Sequence, residues 1–186
     1  MKKYVTYVAL FSMLLVAACN SNDSVEQAAE QSVAQFEQAG VKNMKNDALF
    51  VAEAASANML QLQLSEQAIS RGVSPEVKEM AQQMEQAHRQ MMEELQSLAT
   101  QTNIVLPQTL GNSHKDIYDD VTAKDGISFD LAYIREMEKQ HDKLLDRYED
   151  MAKSGVSMEV KQYASRQIPL IRQHLQRAQT LEDKIK

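Results

Sequence analysis

Cysteine, tryptophan, proline and glycine are all scarce in this chain of 186 residues. It contains one cysteine, no tryptophan, three prolines and five glycines. A single cysteine excludes an intramolecular disulfide, a Cys-x-x-Cys redox pair and a zinc site built from several cysteines. The shortage of helix-breaking residues, together with abundant Gln, Glu, Ala, Met and Leu, predicts an all-α protein.

Positive charge and the common catalytic motifs are also in short supply. The chain has 20 Lys and Arg against 26 Asp and Glu, which gives a net charge of −6. Without a basic stripe, binding to nucleic acid is not expected. The sequence has no Gly-rich phosphate loop, no Gly-x-Ser-x-Gly and no His-Glu-x-x-His, so nothing in it supports nucleotide binding or hydrolase chemistry.

The first residues have the features of an export signal. Two early lysines precede an apolar run over residues 5–18, which ends in small residues directly before Cys19. This pattern resembles a bacterial lipoprotein signal, in which Cys19 becomes the lipidated first residue of the mature chain. An ordinary secretory signal is the alternative. Asn20 favours sorting to the outer membrane, so we expect a periplasm-facing lipoprotein whose contact with the membrane is its lipid anchor.

The remainder of the chain divides by composition into two parts. We interpret residues 19–45 as a polar tether with transient helicity and residues 46–186 as the folded domain, behind a signal peptide at residues 1–18. Within the proposed tether, the stretch from residue 25 to residue 38 could form a helix but offers only three sizeable apolar residues, which are Val25, Val33 and Phe36. That is too few to predict a stable packed helix.

The folded domain repeats its own sequence with an offset of 83 residues. The turn Gly72-Val73-Ser74 returns as Gly155-Val156-Ser157, and Asp47 is matched by Asp130. Eleven of the 35 positions between residues 47 and 81 are identical at this offset, with no gap. The repeat predicts one supersecondary unit that is used twice.

Each unit reads as two long helices joined by the Gly-Val-Ser turn. Apolar residues at spacings of three and four predict helices over residues 47–71, 75–102, 128–155 and 157–184. The link between Thr102 and Ser128 is much longer than the usual connection in a bundle, and a short helix is expected near residues 113–123. We therefore predict a ferritin-like four-helix bundle of two helical hairpins joined by a long crossover, with an up-down-up-down bundle as the alternative.

One polar residue interrupts the apolar stripe of each of the four long helices. These residues are Gln61, His88, His141 and His174. Because an unpaired buried polar group costs about 1–3 kcal/mol, four such interruptions are not expected without partners. Counting residues from the two turns places all four at similar heights, so we predict a single central polar layer.

Two interpretations of this layer remain open. The favoured one is a hydrogen-bonded layer that fixes the register of the helices, with a trapped water. The other is a single transition-metal ion bound by the three histidines, with Glu85 and Glu138 as additional ligands. Both glutamates stand three residues before a layer histidine, which is the spacing found in carboxylate-bridged di-metal bundles.

A complete di-metal site with four carboxylates is not expected. Ile171 stands where the fourth helix would need its acid, and Gln61 replaces the carboxylate of the first helix. The fourth histidine, His114, belongs to the crossover, where we expect it to be solvated.

The order of motifs over residues 50–181 carries a family resemblance. The motifs are Ser74-Pro75-Glu76-Val77-Lys78, Phe129-Asp130-x-x-Tyr133 and Ile168-Pro169-x-x-x-x-His174. In this composite the chain resembles the bacterial family called domain of unknown function 4142, a ferritin-like helical bundle of exported proteins and lipoproteins. The resemblance implies the fold and the export, and it implies no activity. In similar sequences a Glu tends to stand at the position of Gln61.

The sequence favours a non-enzymatic cell-envelope lipoprotein that acts as a binding or stress-related structural module. No feature of the chain specifies a protein partner. The alternative is a metal-binding or metal-dependent oxidoreductase bundle that uses His88, His141 and His174.

Overall fold

A computed structural model describes residues 22–185, and within that range the chain forms six helices and no strand. The helices are α1 (Ser24–Gln38), α2 (Lys45–Arg71), α3 (Pro75–Thr102), α4 (Asn112–Thr122), α5 (Gly126–Ser154) and α6 (Met158–Ile185). The all-α prediction is confirmed, and the four long helices begin and end within a few residues of the predicted positions. The predicted signal peptide and Cys19 lie outside the described residues. None of the six helices combines the length and apolar character needed to cross a membrane.

Helices α2 and α3 form one hairpin, and α5 and α6 form the other. Each turn passes through a glycine with no room for a side chain. A Cβ at Gly72 would lie 2.6 Å from the carbonyl oxygen of Ala68, and a Cβ at Gly155 would lie 2.9 Å from the carbonyl oxygen of Met151. Both contacts are too short for carbon, so the tight Gly-Val-Ser turns require glycine at these two positions.

The directions of the helices follow from contacts at the two ends of the bundle. Asp130, near the start of α5, accepts a 2.7 Å hydrogen bond from the backbone N–H of Ser74, just before α3. Asp47, in the first turn of α2, accepts a 2.7 Å bond from Ser157, just before α6. Helices α3 and α5 therefore start at the same end and run parallel. The bundle has the predicted crossover connection and not the up-down-up-down alternative.

The crossover runs along the outside of α2. The N–H of Gly111 donates to the hydroxyl of Ser56 (2.9 Å), near the middle of α2. Further on, the guanidinium of Arg71 donates to the carbonyl of Thr122 (3.1 Å), at the end of α2. Helix α4 lies between these two contacts and packs on α2 and α5. The crossover thus returns the chain to the end of the bundle where α5 begins.

Helix α1 is part of the folded unit, so the predicted tether over residues 19–45 is wrong for residues 24–38. Ala28, Ala29 and Phe36 are buried by packing of α1 against α2. The carboxylate of Asp23 accepts hydrogen bonds from the first turn of α1 and, at 2.6 Å, from the N–H of Asn112 at the start of α4. The small alanines allow close packing but contribute little to a hydrophobic pattern. The sequence pattern of this segment is therefore too weak to predict a packed helix.

The core consists of two large apolar clusters, one toward each end of the bundle. The cluster nearer the first turn includes Leu60, Leu64, Met84, Phe129, Tyr133 and Met137. The cluster nearer the second turn includes Phe50, Met91, Leu95, Tyr148, Met151 and Ile171. On α3, His88 lies between Met84 of one cluster and Met91 of the other. The predicted polar layer therefore separates two apolar regions.

Candidate metal centre

Three imidazole rings converge in the middle of the bundle. His88 comes from α3, His141 from α5 and His174 from α6, and each occupies a core-facing position of its helix. The Nε2 atoms of His88 and His141 are 3.2 Å apart, and Nδ1 of His174 is 3.3 Å from Nε2 of His141. One nitrogen from each ring can be chosen so that all three lie within 4.8 Å of one another. The three predicted histidines therefore form one cluster.

Asn58 of α2 determines the tautomer of His88. The Asn58 side-chain Nδ2 donates to the backbone carbonyl of Ala54 (2.9 Å), which can only accept. Its oxygen therefore faces Nδ1 of His88, at 2.8 Å, and accepts a hydrogen bond from it. In the neutral ring the proton is on Nδ1, and Nε2 of His88 presents a lone pair to the centre of the cluster.

His141 has the same arrangement on α5. Its Nδ1 lies 2.7 Å from the backbone carbonyl of Met137, one turn earlier on the helix. A carbonyl only accepts, so Nδ1 carries the proton of the neutral ring and Nε2 presents a lone pair. Nε2 of His88 and Nε2 of His141 are therefore both acceptors, although they are only 3.2 Å apart.

The rings are held in their neutral forms by burial. His88 and His141 are fully buried, and His174 is 6% exposed. Burial lowers the pKa of His141 to about 4, and the hydrogen bond to Met137 offsets only part of this effect. Burial, with His141 and Arg177 nearby, lowers the pKa of His174 to about 3. Burial also holds the pKa of His88 well below its usual value.

Gln61 of α2 is the fourth member of the predicted layer, and it is fully buried. Neither its amide oxygen nor its amide nitrogen has a hydrogen-bond partner among the described residues. It is one turn along α2 from Asn58, which contacts His88 directly. Burying an amide with both polar atoms unpaired reduces the stability of the fold. A further group that bonds to the Gln61 side chain is therefore expected at this position.

The two glutamates predicted as additional ligands do not join the cluster. Glu85 forms an ion pair with Arg89 on the outer side of α3, and 26% of its side chain is exposed. Among the described residues, the set of ionisable groups close enough to share an ion at this site contains the three histidines, without Glu85 or Glu138. The Glu85 side chain points instead toward Arg89, one turn further along α3.

His114 is not solvated as predicted. Its Nδ1 lies 2.6 Å from the hydroxyl of Ser56, which also accepts the N–H of Gly111. The ring is partly buried between α4 and α2, and burial lowers its pKa below the usual value. His114 therefore helps to attach the crossover to α2 and takes no part in the cluster.

Asn58 is not among the site residues that the sequence predicts. One signal was available, because the offset of 83 residues pairs Asn58 with His141. Asn58 also stands three residues before Gln61 on the same stripe of α2. Its role depends on which nitrogen of His88 it contacts, and spacing alone does not reveal that.

Comparison with known proteins supports a family assignment. The family model described as domain of unknown function, DUF4142, matches residues 30–181, which is most of the chain. No curated protein and no solved structure matches the chain. The matched segment contains all three histidines and both hairpins, and it begins within α1, in agreement with the packing of that helix on the bundle. The chain belongs to the DUF4142 family.

Proposed function

We propose that this protein binds one divalent transition-metal ion, with zinc the best fit, between His88, His141 and His174. The observation that carries the proposal is the spacing of the nitrogens, 3.2 and 3.3 Å. Zinc–nitrogen bonds are about 2.0–2.1 Å long, so two nitrogens bound to a tetrahedral zinc are about 3.3 Å apart. Two of the three nitrogen pairs thus have the separation found in a zinc tetrahedron, and all three nitrogens lie within 4.8 Å of one another.

The positions of the imidazole N–H protons also support a bound metal ion. Three neutral imidazoles carry three protons, and those of His88 and His141 point away from the cluster, toward Asn58 and Met137. Only the proton of His174 remains for the two contacts among the rings. In a hydrogen-bonded layer, which the sequence favoured, at least one of the two ring contacts would join two nitrogens that both lack a proton. A metal ion uses the lone pairs of those nitrogens as ligands.

The surroundings also suit a bound metal. Metal-binding histidines usually donate their second ring N–H to a carbonyl or carboxylate, which orients the ring and increases its basicity. The Asn58 and Met137 oxygens do this for two of the three rings. Imidazole donors suit zinc, copper, nickel and iron, and they suit magnesium and calcium poorly. Three protein ligands leave a fourth position for another group.

The cellular setting of the proposal is the bacterial envelope. Lipidation at Cys19 would attach the chain to a membrane, as the lipoprotein-like leader suggests. Asp23 is only four residues further on and is bonded to the start of α4. Four residues reach at most about 14 Å when fully extended. The metal-binding bundle would therefore be held close to the membrane surface by the side that carries α1 and α4.

Metal analysis of the protein tests this function directly. We expect protein purified without chelators, or reloaded with zinc after chelation, to hold one ion per chain and to melt at a higher temperature when loaded. The His88→Ala, His141→Ala double variant should lose both properties. The matched control is His114→Ala, which removes a partly buried histidine outside the cluster and should leave the stoichiometry at one. A wild-type protein without stoichiometric metal after reloading would refute the proposal.

A further inference from the structure

The long helix that contributes no histidine to the cluster is α2, so we look to α2 for a fourth ligand. Three of the four long helices contribute an imidazole, and α2 contributes none. What α2 contributes in this region is Asn58, bonded to His88, and one turn later Gln61. The side-chain oxygen of Asn58 already accepts a hydrogen bond from His88, and its nitrogen already donates one to the carbonyl of Ala54. Gln61 is therefore the polar side chain of this stretch of α2 that lacks a partner.

The height of Gln61 along the bundle is within about 5 Å of that of the rings. Gln61 is about 16 Å from Gly72 along α2, and His88 is about 21 Å from Ser74 along α3, at 1.5 Å per residue. Helical side chains lean toward the N-terminus of their own helix. Because α2 and α3 are antiparallel, the two side chains lean toward each other and converge in height. His141, about 16 Å from Asp130 along α5, lies at the same level.

The chemistry of Gln61 fits a ligand. Its neighbours along α2, Leu60 and Leu64, belong to the apolar core, and neither amide atom of Gln61 has a partner among the described residues. Burying an amide in this way is unfavourable unless something supplies the missing contact. The amide oxygen is a neutral donor that a divalent ion accepts beside imidazole.

We propose that Gln61 is the fourth protein ligand and binds the ion through Oε1, which gives a closed site of three imidazoles and one amide oxygen. This inference rests on the proposed metal binding and adds the identity of the fourth ligand. A closed site has no bound water to ionise, whereas a three-histidine site with an open position carries a water with a pKa near 7 on zinc. The two arrangements therefore differ in their response to pH.

Cobalt(II) is the probe that distinguishes them, because its visible absorption depends on the ligands that surround it. We expect the Co²⁺-loaded wild-type protein to keep one spectrum between pH 6 and pH 9. Gln61→Leu should still bind one Co²⁺ through the histidines, with affinity roughly 10–100-fold lower. Its spectrum should change with pH, because a water molecule takes the vacated position. Gln63→Leu is the matched control, since Gln63 is a partly buried glutamine on another face of α2, and it should behave as wild type.

A second readout does not depend on cobalt. In the presence of a chelator, Gln61→Leu should melt at a higher temperature than wild type, because it removes two unpaired buried polar atoms. Gln61→Glu should bind zinc at least tenfold more tightly than wild type, since a carboxylate ligand neutralises part of the charge of the ion.

Three results would overturn the assignment of Gln61. They are a pH-dependent spectrum in wild type, an unchanged spectrum and affinity in Gln61→Leu, and an unchanged zinc affinity in a folded Gln61→Glu variant. Each of them leaves the three-histidine site intact. A wild-type protein that takes up neither cobalt nor zinc would instead overturn the metal site itself, and the Gln61 assignment with it.

Discussion

Asp47 and Asp130, which are 83 residues apart in the chain, make the same contact at opposite ends of the bundle. Each is fully buried near the start of its helix, and each carboxylate accepts two backbone N–H groups from the turn of the other hairpin. The shorter bond is 2.7 Å in both cases. Each hairpin therefore binds the turn of the other hairpin. The two contacts fix the positions of the hairpins relative to each other along the bundle axis.

We expect Asp47→Ala and Asp130→Ala to destabilise the protein by about 1–3 kcal/mol each, because each leaves buried N–H groups without an acceptor. The two sites are at opposite ends of the bundle, so the effects should add in the double variant. Chemical denaturation measures these changes. Asp142→Ala, at an exposed position of α5, is the control and should change stability by less than about 0.5 kcal/mol. Equal stability of Asp130→Ala and Asp142→Ala would show that the buried contact is unimportant.

The metal-free protein should lose stability as the pH falls from about 6.5 to about 4. In the unfolded chain imidazole has a pKa near 6.5 and gains a proton over this range. In the folded protein burial lowers the pKa of His141 to about 4 and that of His174 to about 3, so these rings stay neutral. The unfolded state binds more protons and is favoured by acid. Between pH 7 and pH 5, His141 alone accounts for a loss of about 2 kcal/mol.

Denaturation curves at pH 7, 6 and 5, with a chelator in every buffer, measure this loss. The choice of range matters because most carboxylates titrate below pH 5. His141→Gln should flatten the dependence, while His114→Ala should change it less. A free energy of unfolding that stays constant from pH 7 to pH 5 would contradict the buried neutral cluster.

Asn58 should control metal affinity without touching the ion. Asn58→Leu removes the oxygen that accepts the Nδ1 proton of His88, so the ring loses its orientation and tautomer. We expect zinc affinity to fall roughly 10–100-fold, as for other groups that support a metal ligand. Asn58→Asp keeps an acceptor at this place and should retain most of the affinity. Competition titrations with a zinc indicator measure both variants, and equal affinities for the two would argue against this role.

Asp23 should stabilise two helices at once. Its carboxylate accepts N–H groups from the first turn of α1 and from Asn112 of α4, and these bonds outweigh burial, so the pKa of Asp23 is below its usual value. Asp23→Ala should cost about 1–2 kcal/mol, in the range of a lost helix cap. Hydrogen exchange should become faster in both α1 and α4. Glu30→Ala, at an exposed site on α1, is the control, and faster exchange in α1 alone would refute the shared cap.

Replacing Cys19 by Ser tests the proposed anchor. If Cys19 carries the lipid, the variant should leave the membrane fraction and appear as soluble protein in cell fractionation. The melting temperature of the purified variant serves as the control that its bundle is folded. Continued tight association of the variant with membranes would contradict the lipoprotein proposal.

The helices and the convergence of the histidines could be predicted because both follow from local periodicity. The spacing of three and four residues puts His88, His141 and His174 on core-facing stripes, and counting from the two turns puts them at one height. The duplicated Gly-Val-Ser turns identify the ends of the hairpins, because a side chain at Gly72 or Gly155 would collide with the preceding turn of helix. These features depend on backbone geometry that each segment carries in its own residues.

Other features depend on which surfaces meet, and only the tertiary structure decided them. Helix α1 has the sequence of a tether because its buried face consists mainly of small residues, whose packing becomes favourable only against the complementary face of α2. Glu85 had the spacing of a ligand, but its rotation around α3 directs it to Arg89. The tautomer of His88 depends on Asn58, thirty residues away in the chain. Periodicity determines which face of a helix a residue occupies, and the packing of the helices determines which atoms that residue contacts.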